Sequence, residues 1–272
     1  MLHEPKAIKI QFTLIFLLIV SCQSVFPKWD PPANPDPQNI LGEAREDVRA
    51  KNYKTALDKH IWFHNNALKI SKSLYGVRLS FALSDWFELA KNYAPAMTAL
   101  KNTRDLACEN AKKNISIYAN YKDCTSINRK LNEDYISVNV FKWLDKHHSV
   151  WAKDIYNTAK KYLILSKEYS LCGKYLKPRA AYDKNVRNYH RNIDSFNSEA
   201  YKGFDAKSLA RFRNYAHEGF LEESAIIIAL LVHNDKAKEA KLFYEEAITE
   251  SFPPNSKVIL DNALKGNFPA LK

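Results

Sequence analysis

Ala50-Lys51-Asn52-Tyr53 recurs word for word as Ala90-Lys91-Asn92-Tyr93, forty residues on, and each tyrosine is followed three positions later by a small residue, Ala56 and Ala96. A third copy reads Asn132-Glu133-Asp134-Tyr135, with Val138 in the small position. A fourth places Tyr175 after Gly173-Lys174, with Pro178 where the alanine would stand, and a fifth runs through Ala237, Ala240, Tyr244 and Ala247 to Pro253. Self-similarity at a period of 20–50 residues is the signature of stacked repeats. A turn residue, an aromatic and a small residue suit helix hairpins, which cannot bury their apolar faces alone and must stack on neighbours.

Composition points the same way. The chain has 272 residues, 46% of them hydrophobic, enough for a sizeable core. It has only 6 glycines, too few for the tight turns and bulges of a sheet-rich fold. Long stretches of Ala, Leu, Lys and Glu favour helix. The periodicity predicts helices near 40–51, 54–70, 74–90, 94–109, 115–130, 134–146, 149–171, 182–198, 205–232, 235–250 and 255–265. Asp205 is the expected N-cap of the long helix that carries the apolar run 225–232. A break around 178–183 is expected to divide the array.

The repeat resembles the tetratricopeptide type. In that family the second helix carries aromatic and small residues in alternation and often ends in proline; Ala240, Tyr244, Ala247 and Pro253 follow that order. Leu83, Phe87, Tyr93, Ala96 and Leu100 fill the middle copy. The spacing of 40 to 42 is longer than the family's 34, and Lys51 and Lys91 stand where the family has glycine. The resemblance covers 40–150 and 220–254. It implies an all-α fold, an array of antiparallel helix hairpins of TPR-like α-solenoid form, serving as a scaffold for protein or peptide binding rather than as an enzyme.

The N-terminus has a different character. Lys6 and Lys9 precede an apolar run over 10–20, too short to span a bilayer but suited to a signal-peptide core. The run ends in Ile19-Val20-Ser21-Cys22, which resembles the bacterial lipobox. That resemblance implies lipid on the Cys22 thiol and cleavage before it. Gln23, which is not the aspartate of inner-membrane retention, implies the outer membrane, on its periplasmic side. An ordinary cleaved signal with an incidental cysteine, or a retained membrane anchor, are the other readings. Pro27, Pro31, Pro32, Pro35 and Pro37 then favour an extended spacer. The expected layout is a lipoprotein signal peptide (1–21), a Pro-rich tether (22–39), TPR-like repeats (40–177) and C-terminal helical hairpins with a cap (178–272).

Several residues invite chemistry. His60 and His64 lie one helical turn apart, a spacing that can share zinc, yet Ile61 stands where a zinc protease has glutamate and no third ligand is evident; half-buried structural histidines are the other reading. Arg78 and Trp86 lie in an aromatic stretch that could join Trp62, His60 and His64 in lining a concave groove, or, given the helical spacing of Leu79, Leu83, Trp86 and Phe87, form core. Cys108 and Cys124 flank a polar stretch and can pair in an oxidising compartment; alternatively they and Cys172 stay reduced and buried. His147 and His148 read as helix-end residues beside the C-terminal dipole. Aromatic and basic residues interleave at Tyr182, Arg187, Tyr189, His190 and Arg191, a nucleic-acid pattern that export argues against. Glu222 and Glu223 are adjacent on a helix and so are not a natural acid–base pair.

No phosphate-binding glycine loop, Gly-x-Ser-x-Gly or Cys-x-x-Cys occurs, and no cofactor or small-molecule substrate is implied. The net charge of +11 suits anionic partners or, equally, a plain solvated basic surface with no specific anionic partner, and no basic block marks a nucleic-acid segment. The sequence thus leads to an expectation: a lipid-anchored envelope interaction module with a protein or peptide partner. The alternatives are a structural or assembly protein that contacts cell wall or anionic envelope polymer, and an envelope hydrolase or lyase on a helical scaffold.

Overall fold

The computed structural model describes residues 29–249 and 257–271. The expected export signal, Cys22 and Pro253 lie outside them. Among the described residues every regular element is helical: α1 (Pro37–Arg49), α2 (Tyr53–Ile70), α3 (Tyr75–Leu79), α4 (Phe81–Asn92), α5 (Ala94–Lys112), α6 (Ile117–Leu131), α7 (Asp134–His147), α8 (Ser149–Leu165), α9 (Tyr169–Tyr175), α10 (Pro178–Ser195), α11 (Ala206–Val232), α12 (Ala237–Ile248) and α13 (Lys257–Ala263). Short 3₁₀ turns cover Lys72–Leu74 and Glu199–Tyr201. None of these helices is long and apolar enough to cross a membrane.

The helices pack as neighbours in chain order. Up to α9 each longer helix packs on the one before it, and α2 on α4, α4 on α6, and α6 on α8 link alternate helices; further on, α11 gathers α10, α12 and α13. The interior follows suit, with one cluster around Trp86 and Leu100, one around Phe141 and Leu163, and one around Phe220 and Ile228. The middle cluster takes in Leu230 of α11, and the Tyr169 ring stacks on His233 at 4.0 Å, so the interior continues across residues 176–178. Gly173 makes this approach possible. A Cβ there would stand 2.1 Å from Asn234 Oδ1, while Asn234 Nδ2 donates to the carbonyls of Leu230 and Tyr169 at 2.7 and 3.1 Å.

Helix ends account for most differences from the periodicity. α1 starts at Pro37, inside the stretch read as tether, because the Asp36 carboxylate caps Gln38 N at 2.8 Å and proline at N1 loses no hydrogen bond. α10 likewise starts on an N1 proline, Pro178, here without a side-chain cap, so the break expected over 178–183 shrinks to Leu176 and Lys177. The helix expected over 74–90 is interrupted at Ser80 (φ −124°, ψ −86°), whose hydroxyl donates to the Gly76 carbonyl at 2.7 Å. The one expected over 149–171 stops at Leu165, because Lys167 adopts φ 59° and Glu168 N donates back to Leu163 O at 2.9 Å. Asp205 caps α11 as expected, accepting from Ser208 N at 2.7 Å.

That stop at Lys167 is one of a set. Lys51, Asn132 and Asp235 also sit in the left-handed region, and in each case the next residue's N–H donates to a carbonyl five positions back. This is the six-to-one bond of a Schellman ending. Five residues after these four stops stand Ala56, Ser137, Cys172 and Ala240, all fully buried where the following helix meets its neighbour. The third and fourth copies therefore fall in a different register from the one read in the sequence. Asp134 and Ser137, not Tyr135 and Val138, match Tyr53 and Ala56, and Tyr135 is exposed. In the fourth copy the matching residues are Tyr169 and Cys172 rather than Tyr175 and Pro178. The tyrosines of the two identical tetrapeptides, Tyr53 and Tyr93, pack on one another with ring centroids 5.9 Å apart.

Candidate binding clefts along α8

Four of the five residues expected to line a groove come together, but turned inward. Trp86 is 1% exposed, His60 2% and His64 6%. The His60 ring stacks on Trp86 at 6.4 Å, His64 meets it edge-on at 5.8 Å, and Trp86 Nε1 donates to Ala96 O at 3.2 Å. Arg78 locks the cluster to α6. Its guanidinium donates to both carboxylate oxygens of Asp123 at 2.5 and 2.7 Å, to the His64 carbonyl at 2.6 Å, and to His64 Nε2 at 2.9 Å. A cation donating to Nε2 requires a neutral imidazole. Burial first, then the Arg78 charge, lowers His64 to about 4 against the pull of Asp123; burial and then Arg45 lower His60 to about 4. Trp62, half-buried, packs edge-on against Trp29 of the tether, over which the Lys59 ammonium sits at 5.8 Å. His60 and His64 thus act as core. Among the described residues no three His, Cys, Asp or Glu side chains gather in a metal-holding group.

Cys108 and Cys124 are joined as a disulfide, with Cα atoms 5.1 Å apart, pinning α5 to α6. Cys172 is free and buried, and burial pushes its thiol up to about 12. His147 ends α7 and His148 caps it, where the His148 ring stacks on Trp151 at 3.9 Å. Glu223 pairs with Lys160. Tyr182 and Tyr189 are buried with Phe220 and so read as core.

Open concavities lie elsewhere, on the two sides of α8. The α8–α10 cleft has a volume of about 520 Å³. Lys153, Lys177 and Lys184 line it, Tyr156 and Asn185 sit at its wall, and Glu223, its carboxylate, is already held by Lys160. The Tyr156 hydroxyl is buried near the Cys172 thiol without a hydrogen bond of ordinary geometry, and burial raises its pKa. The α6–α8 cleft has a volume of about 630 Å³ and is lined by Lys122, Arg129, Lys130 and Lys161, with no carboxylate. Asn157 borders both clefts, so they adjoin across one helix.

These residues escaped the sequence reading because polar stripes at helical spacing look like ordinary solvated faces. The signal was present. Lys122, Thr125, Ser126, Arg129 and Lys130 recur at intervals of three and four on α6, as do Lys153, Tyr156, Asn157 and Lys160 on α8. A helix whose neighbours rise on both sides turns such a stripe into the floor of a trough. Comparison with protein-family models, curated proteins and solved structures finds no match to this chain.

Proposed function

We propose that this chain is a lipid-anchored lipoprotein of the bacterial envelope. In this reading its TPR-like α-solenoid binds a protein or peptide partner along α8, with Cys22 carrying the lipid. Binding rather than catalysis is its role. The observation that carries the reading is the pair of adjoining clefts on α8, basic on both sides, in an array whose helices pack mainly on chain neighbours. Stacked repeats of this build present extended concave surfaces, and unpaired lysines around a trough select an acidic occupant.

The experiment is proximity labelling in the native cell with the full chain, comparing wild type with Lys153→Glu/Lys184→Glu. A partner set labelled by wild type and lost in the double variant is the expected result; an identical set in both removes the α8 face from the reading. Anchoring has its own test. Metabolic acyl labelling should mark wild type but not Cys22→Ser, and an unlabelled, uncleaved wild-type chain overturns the anchor. The basic lining also favours a second reading, contact with anionic cell-wall polymer. That reading requires wild type to sediment with purified wall at low salt and to be released at high salt.

A further inference from the structure

The α6–α8 cleft contains an imbalance of charge that the fold offsets only through the nearby Asp134. Four cations line it, Lys122, Arg129, Lys130 and Lys161, with the hydroxyls of Ser126 and Thr158 and no carboxylate. The Lys161 ammonium nitrogen is buried without a hydrogen-bond partner. Burial and the nearby Arg129 charge both lower its pKa, and Asp134, which offsets them, has its own buried oxygen unbonded. A desolvated cation lacking partners costs stability unless an anion completes its shell. Elsewhere in this molecule buried cations have such partners. Lys59 holds Glu43 and Asp47 at 2.9 and 2.8 Å, and Arg78 holds Asp123.

We infer that the α6–α8 cleft is a binding site for a phosphate group, in which Lys161 and Arg129 take the anion's oxygens and the Ser126 and Thr158 hydroxyls donate beside them. Phosphate fits this lining better than a carboxylate because it offers more oxygens and up to two charges to several donors. The cleft is several times larger than the ion, so the group is borne on a larger molecule. A soluble phosphomonoester and a phospholipid headgroup share this chemistry. The inference rests on the reading of the α8 face as a binding surface.

Thermal melting of the full chain in mild detergent, followed by circular dichroism at matched ionic strength, tests it. Inorganic phosphate, against chloride, should raise the melting temperature saturably, by roughly 5–10 °C at a hundredfold excess over Kd. Lys161→Met should abolish the shift while melting no lower than wild type without phosphate. Arg129→Gln, at an exposed position, should weaken phosphate binding at least tenfold and serves if Lys161→Met fails to fold. Glucose 6-phosphate and phosphatidylglycerol in mixed micelles with the same detergent, with phosphatidylcholine micelles as control, identify the source. A wild-type chain that responds to phosphate no more than to chloride overturns the inference, as does an undiminished shift in the variants. Partner capture through Lys153 and Lys184 concerns the other cleft, so the two readings can fail separately.

Discussion

Between Lys59 and Ser137 the interior holds buried Lys59, His60, His64, Arg104, Thr125, Asn128 and Ser137, whereas from Val138 to Ala263 Ser224 is the buried polar residue among the described ones, beside the buried ends of Tyr156 and Lys161. The first region is keyed by directional bonds. Besides the Arg78–Asp123 lock, Arg104 pairs with Glu133, Asn128 Nδ2 donates to Ser137 Oγ at 2.9 Å, and the Tyr121 hydroxyl donates to the Ser137 carbonyl at 3.0 Å. The second is keyed by volume, with Ala225, Ile227, Ile228, Leu230 and Leu231 on α11 all buried. A polar interior loses heavily when one partner is removed and little when both are; an apolar interior loses in proportion to the atoms removed. Of the five tryptophans, Trp62 and Trp86 lie within the first region and Trp143 and Trp151 within the second, so their fluorescence reports on both.

The largest effect should come from Asp123→Ala, which leaves the largely shielded Arg78 guanidinium without its counter-charge. The expected loss is about 3–5 kcal/mol in urea unfolding, and Arg78→Met on the same background should restore most of it. A loss below about 1 kcal/mol would make the polar lock ornamental. Ile228→Ala in the apolar half should cost about 3 kcal/mol, with no second-site charge change able to repair it.

Acid should separate the halves further. His60 and His64 have folded pKa values of about 4 against 6.5 unfolded, so between those limits the unfolded chain binds more protons. Their contribution is complete above about pH 6.5 and falls away towards pH 4, on the order of 2–3 kcal/mol per histidine. Tryptophan-detected unfolding midpoints measured from pH 7 to 4.5 should fall accordingly, less so in His60→Phe, while the cost of Ile228→Ala stays constant. A flat pH profile would refute the assignment of these histidines as neutral core. The smallest effect is at the junction. Gly173→Ala should displace the Asn234 amide from its two carbonyls and cost about 1–2 kcal/mol, with Asn234→Ala masking it in the double variant.

The same contrast explains what could be read in the sequence. The apolar run of α11, its Asp205 cap and the helical class are local signals, and the structure has them. Arg78 and Asp123 are 45 residues apart, so neither carries any mark of the other, and polar letters at helical spacing read as surface or site. Lys122 and Lys161 were invisible for the complementary reason, because a basic stripe becomes a cleft only once α6 and α8 face each other. Even identical letters diverge. After Ala50, Lys51 turns left-handed and Tyr53 opens α2; after Ala90, α4 runs on to Asn92 and an extended Tyr93 hands over directly to α5, with Pro95 in its first turn.

Left-handed helix stops at Lys51, Asn132, Lys167 and Asp235 are each filled by a residue with a Cβ, and Gly266 supplies the glycine version. That geometry costs an ordinary L-residue about 1–2 kcal/mol, and asparagine or aspartate less. Lys51 and Lys167 both face water. The scaffold consequently carries a latent margin of heat tolerance at two solvent-facing hinges. An engineer could release it with glycine at either lysine, leaving every buried contact and both clefts untouched.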